Sequence, residues 1–234
     1  MIAVFKRELH SFLTSAVGYV YLFFFSIVTA LILYLNNISA GSTDTTGYFA
    51  LMRYLLIIII PILAMKMFPE ERKNKTDQIL ITAPISISKM VLGKFMAGYA
   101  IFLMGLIPSI VHIIILSFFG YVEFGIVLGN YIGVLFVGAV FLSIAMLMSV
   151  MTESMIVAFI MGTFSLAVFA IADVIAILAK NAFLTKIVDV ISITQRCDQF
   201  SQGLFNVSSI IYFISLAVIF LFITIRIIDK RRWS

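Results

Sequence analysis

The sequence predicts an all-α membrane protein: one domain spanning residues 1–234, with six transmembrane helices behind an N-terminal interfacial helix and both termini cytoplasmic. Three observations carry this. Of 234 residues, 63% are hydrophobic and 12% charged, against about 45–50% and about 25% in soluble domains, which is more apolar surface than one core can bury. Uncharged runs near 20 residues recur along the chain, the length that crosses about 30 Å of hydrocarbon as a helix. These runs also lack the period-two alternation of a transmembrane barrel. The single cysteine, Cys197, excludes an intrachain disulfide.

Residues 1–16 read as an amphipathic helix in the headgroup layer. Ile2, Phe5, Leu9, Phe12, Leu13 and Ala16 fall on one helical face, and Lys6, Arg7, His10, Ser11 and Thr14 fall elsewhere. Val17 to Leu35 is free of charge over 19 residues, longer than the roughly 7–15 of a signal-peptide core, so it is the first span. The second span begins near Tyr48, because the twelve residues between Arg53 and Lys66 would cover only about 18 Å. Both cations then lie inside its ends, snorkelling or facing a cavity, and Pro61 is expected to kink it. Phe95 to Val122, Phe124 to Thr152, Ser154 to Ala172 and Gln199 to Ile225 supply the other four.

An even count places both termini on one side. Twelve of the sixteen Lys and Arg fall on that side and four, Arg53, Lys180, Lys186 and Arg196, on the other, so the termini are expected in the cytoplasm. The net charge of +5 is therefore read by side of the membrane and not as a nucleic-acid surface. Trp233 is expected to anchor at the interface. Two connections are long: residues 69–89 on the cytoplasmic side, with a helix of about two turns starting near Asn74 or Thr76 and stopped by Pro84, and residues 180–202 outside. In the outer connection Leu184, Ile187, Val188 and Ile191 have helical spacing and suggest a short helix dipped into the outer leaflet.

Catalysis is not expected on this chain. It has no GxxxxGK[ST], HExxH or GxSxG motif, and His10 and His112 are its only histidines. Ionisable groups inside a span mark functional candidates, here Arg53, Lys66, His112 and Asp173. His112 reads as a packing residue hydrogen-bonded to a neighbouring helix, whereas Asp173 either reaches headgroup water or pairs within the membrane. Gly129, Gly133, Gly138 and Ala139 in the fourth span suit close helix approach.

The stretch from Glu70-Glu71-Arg72-Lys73 through Asp77-Gln78-Ile79-Leu80-Ile81-Thr82-Ala83-Pro84-Ile85-Ser86 to Gly93-Lys94 resembles the loop between helices two and three of ABC-2 type transporter permeases. Lys75-Thr76-Asp77-Gln78 stands where that family has a Gly-Thr-x-Glu step. Toward the C-terminus Phe200, Gly203, Ile211-Tyr212-Phe213, Ser215-Leu216, Phe220-Leu221-Phe222, Thr224 and Arg231-Arg232-Trp233 resemble the gliding-motility-type branch, with Asn206 where that branch often has Asp.

The resemblance implies the membrane subunit of an ATP-binding-cassette exporter in a bacterial cytoplasmic membrane. ATP and Mg would bind a separate ATPase subunit, with no cofactor on this chain. Ile79, Leu80, Ala83 and Pro84 would form the apolar coupling face, and Glu70, Glu71, Arg72 and Asp77 its polar contacts. A second copy, or a similar permease, would complete the unit through helices one, two and five. The alternatives from composition are a secondary transporter and a non-transporting membrane scaffold, and no residue selects a cargo.

Overall fold

The computed structural model describes residues 1–75, 86–179, 193, 196–197, 200 and 206–232, excluding the side chains of 172–179 and 231–232. The described residues are helical and contain no strand. In chain order the helices are α1 (Ile2–Leu13), α2 (Ala16–Leu33, continued by a π-helical turn, Tyr34–Ile38), α3 (Thr46–Met67), α4 (Pro69–Lys73), α5 (Ile87–Phe119), α6 (Phe124–Val150), α7 (Met155–Ala179) and α8 (Val207–Arg232). Five segments, Ala16–Ile38, Thr46–Lys73, Ile87–Phe119, Phe124–Val150 and Val207–Lys230, are long and apolar enough to cross a membrane, and Met155–Ile171 is a shorter apolar helix. This is the pattern of a multi-pass α-helical membrane protein, because in lipid every backbone polar group must be paired within its own segment.

Helices α3 and α6 form the centre. Tyr48, Phe49, Met52, Leu56, Ile60 and Leu63 of α3 are fully buried, as are Val134, Leu142, Ile144 and Met146 of α6. The small residues noted in the fourth span explain why α6 is enclosed: a Cβ on Gly138 would overlap the Phe102 ring of α5, and Gly133 faces Phe200. By contrast, α2 and α8 lie at the periphery, exposing Phe23, Phe24 and Leu31, and Ile214, Val218 and Phe222.

Local chemistry sets the helix ends. Ser15 caps α2 by accepting a hydrogen bond from the Gly18 N–H at 3.3 Å, and Asn206 caps α8 through the Ser208 N–H at 3.0 Å. That cap starts α8 at Val207; of the residues expected to open the last span, 199 and 201–205 lie outside the described residues. At the end of α2 the buried Asn37 amide donates to the carbonyls of Ser42, at 3.1 Å, and Asp44, at 2.7 Å, closing the loop into α3. Asp44 in turn accepts from the Thr46 N–H at 2.9 Å, which holds its carboxyl below its ordinary pKa.

Pro61 lies inside α3, as expected of the second span. Two further expectations change. α5 begins at Ile87, so Lys89 and Lys94 are helical. The buried stripe of α1 is Val4, Glu8 and Phe12, whereas Ile2 and Leu13 are exposed. That stripe turns inward because α1 packs on α5, where Gly93 lets its backbone approach Val4. In the outer connection the described residues Ile193, Cys197 and Phe200 are buried in the bundle, with Phe200 stacked on Phe136 at 6.4 Å. Leu184, Ile187, Val188, Ile191 and Trp233 lie outside the described residues.

Candidate functional site

The densest polar constellation among the described residues lies where α1, α4 and the first turns of α5 meet, at the end of the bundle that carries the N-terminus. Spacing in α1 builds the first part. Val4, Glu8 and Phe12 are four residues apart and share one face, so packing the two apolar members drives Glu8 inward, leaving its side chain 10% exposed. Lys94 comes to meet it from two turns inside α5 and is fully buried. Its ammonium lies 3.2 Å from Glu8 Oε1 and 2.8 Å from Glu71 Oε2, donates to the Met67 carbonyl at 2.8 Å and sits over the Phe68 ring.

Pro69 opens α4 at a position where no N–H is needed, and this single turn presents Glu71 to both cations. Glu71 Oε1 accepts from Arg7 Nη2 at 2.6 Å, and Arg7 also pairs with Glu8. Partial burial works against the Arg7 charge, but these two carboxylates more than offset it and raise its pKa. Lys66, at the end of α3, donates to the Ser11 carbonyl at 2.6 Å, lies over the Phe12 ring and approaches Glu70 at 3.9 Å. The result is a closed set of alternating charges, which is the condition under which buried ions are tolerated.

Arg72 fastens α4 to a third place. Its guanidinium pairs with Glu153 at 2.6 Å and donates to the Val150 carbonyl at 3.3 Å, both at the α6–α7 turn. One helical turn is thereby tied to α1, to α5 and to that turn. Beside it is an open cleft of about 280 Å³, lined by Arg7, Lys66, Glu70 and Asn74 among others. Beyond Asn74 the chain turns at Lys75, whose φ of 57° is left-handed and ends the helix there. The helix expected from Asn74 or Thr76 to Pro84, with Asp77, Ile79, Leu80 and Ala83, lies outside the described residues.

Of the sequence-predicted residues, Glu70, Glu71 and Arg72 converge here, and the latter two bond within the chain. The intramembrane candidates other than Lys66 lie elsewhere. Arg53 is half-buried on α3 and lines a cavity of about 20 Å³ with Tyr54, Phe141, Phe169 and Cys197, space for about one water. Asp173 belongs to α7, and its side chain lies outside the description.

His112 Nδ1 and the Tyr48 hydroxyl, both buried, are hydrogen-bonded at 3.0 Å. Tyr48→Phe is expected to cost about 0.6 kcal/mol and at most ~1.7, the range for interhelical bonds in membranes. Unfolding of the purified protein on titration with a denaturing detergent would measure it.

Sequence reasoning passed over Glu8 and the burial of Lys94. A carboxylate four residues from both Val4 and Phe12 was the available signal. No group of His, Cys, Asp and Glu among the described residues could hold a metal, and the arrangement offers no nucleophile paired with a base. Its charge pairs tie the single turn of α4 to both α1 and α5. Compared with known proteins, the sequence matches no family model and no curated protein.

Proposed function

We propose that this chain is the membrane subunit of an ATP-driven exporter of the ABC-2 type, working with a separate ATPase subunit that holds ATP and Mg. The observation that carries this reading is the charge-locked junction of α1, α4 and α5 directly before residues 76–85. A loop meant to receive a push needs a base that does not give way, and Glu71, Lys94 and Arg72 supply one. In this reading Glu71 and Arg72 position the loop, while Glu70 and the apolar Ile79, Leu80 and Ala83 meet the ATPase. Nucleotide acts by favouring one membrane conformation over another through its differential binding.

The unit is a pair of such chains, with apolar exposed faces of α2, α3 and α7, such as Tyr19, Phe23, Ile58, Ile160 and Phe164, available for the contact. An isologous contact would present each lining residue twice. In this reading the termini and the junction face the bacterial cytoplasm, which the excess of basic residues on the side of the termini supports.

Co-expression with a candidate ATPase subunit tests the function. ATP hydrolysis is expected to depend on the membrane subunit, and Glu71→Ala with Leu80→Asp is expected to abolish both ATPase retention and transport; full retention of both would overturn the coupling role. Topology is tested separately. With Cys197→Ser as background, Asp44→Cys and Asp189→Cys are expected to label from outside the cell, and labelling only after permeabilisation would reverse the orientation.

A further inference from the structure

At the end of the bundle remote from the N-terminus, α5 and α6 are pinned together by the Tyr131 hydroxyl, 2.9 Å from Ser109 Oγ, and by Tyr99, which donates to the Leu135 carbonyl at 3.1 Å. On the outer side of these ties the two helices leave a groove of about 470 Å³, walled by Leu103, Ile107, Ile110 and Ile114 of α5 and by Phe124, Leu128 and Leu135 of α6. Its walls span twelve residues of each helix, eleven rises of about 1.5 Å or about 16 Å. One leaflet of hydrocarbon is about 15 Å deep. The groove is thus as long as a single extended acyl chain and opens in the leaflet away from the N-terminus.

The groove's upper end is not apolar. Glu123, one turn before groove residue Val127 and on the same face of the helix start, lines a second pocket with Asp44, Thr43, Thr45 and Tyr121, of about 290 Å³. Two carboxylates beside an exposed aromatic ring suit an ammonium group, by charge and by cation–π attraction. The Asp44 carboxylate is fixed by the Thr46 N–H, and Glu123 and Tyr121 are exposed.

We infer that the α5–α6 groove holds one acyl chain of an aminophospholipid, with the lipid's ammonium headgroup between Asp44 and Glu123. Apolar side chains such as Ile107 and Leu128, 59% and 60% exposed, then face a bound chain, and the two carboxylates select for a cationic headgroup over an anionic one.

The test is native mass spectrometry of the protein extracted from bilayers containing equal phosphatidylethanolamine and phosphatidylglycerol with identical acyl chains. One retained phosphatidylethanolamine per chain is expected, preferred about fivefold over phosphatidylglycerol, the upper range for an exposed charge pair. Leu128→Trp, which narrows the groove from a lipid-facing position without removing a core contact, is expected to lower retention about tenfold or more. Glu123→Gln with Asp44→Asn, on the water-exposed surface, is expected to keep the lipid and erase the headgroup preference. Equal retention of the two lipids by the unaltered protein, or undiminished retention by Leu128→Trp, would overturn the inference. So would crosslinking of a second copy through cysteines at Ile110 and Leu128, which would assign the groove to a protein contact.

Discussion

Lys94→Ala is expected to destabilise the protein by about 3–5 kcal/mol, the cost of removing one partner from a buried ion pair and leaving the other uncompensated. Lys94 is the pivot of the junction. It is fully buried, it bridges carboxylates from two different elements, and it also supplies the donor for the Met67 carbonyl at the end of α3. Without it Glu8 and Glu71 lose the buried cation they share, and Arg7, which pairs with both, is itself half exposed. Thermal unfolding in a mild detergent should show the loss as a large fall in midpoint.

A second variant separates charge from packing. Lys94→Met with Glu71→Gln keeps the volume and leaves the Arg7–Glu8 pair intact, so it should recover most of the stability. In the proposed exporter the same double variant would still transport poorly, because α4 would no longer be held to α5. Stability and coupling would then part company, whereas a purely structural junction predicts that they recover together.

Gly18→Ala is expected to cost about 1–3 kcal/mol, the usual range for overpacking, and to loosen α1 from the bundle. A Cβ at this position would overlap the Phe12 carbonyl. Backbone cannot step aside as a flexible side chain can, so relief requires opening the turn between α1 and α2. That turn is tight. Ser15 Oγ donates to the Phe12 carbonyl at 3.0 Å while accepting from Gly18, and widening it breaks both bonds. Because α1 delivers Arg7 and Glu8 to the junction, the disturbance should also show as faster protease cleavage near residues 70–75. Gly125→Ala, where a Cβ meets nothing within 4 Å, is the matched control and should leave both readouts unchanged.

The long apolar helices were legible from the sequence because lipid imposes a simple rule: charge-free runs of about 20 residues are spans. The same rule misplaced the start of α5. Lys89 and Lys94 look like the water side of a boundary. Lys89 is exposed, but Lys94 enters protein, where Glu8 and Glu71 supply what solvent would have. Asn206 capping set the start of α8 for a similarly local reason.

The all-α membrane class and the small-residue face of α6 were legible from the sequence alone, since each depends on composition or on neighbours within a few residues; of the six expected spans, five are long and apolar enough to cross and the fifth in order is a shorter apolar helix. Only the tertiary structure decided that Glu71 and Arg72 bond inward, that Glu8 joins them, that Tyr48 meets His112 across 64 positions, and that α5 and α6 part to leave a groove one leaflet long. Those facts depend on which helix packs against which. In lipid, where apolar faces all look alike to the solvent, pairing is settled by shape and by polar contacts between distant segments.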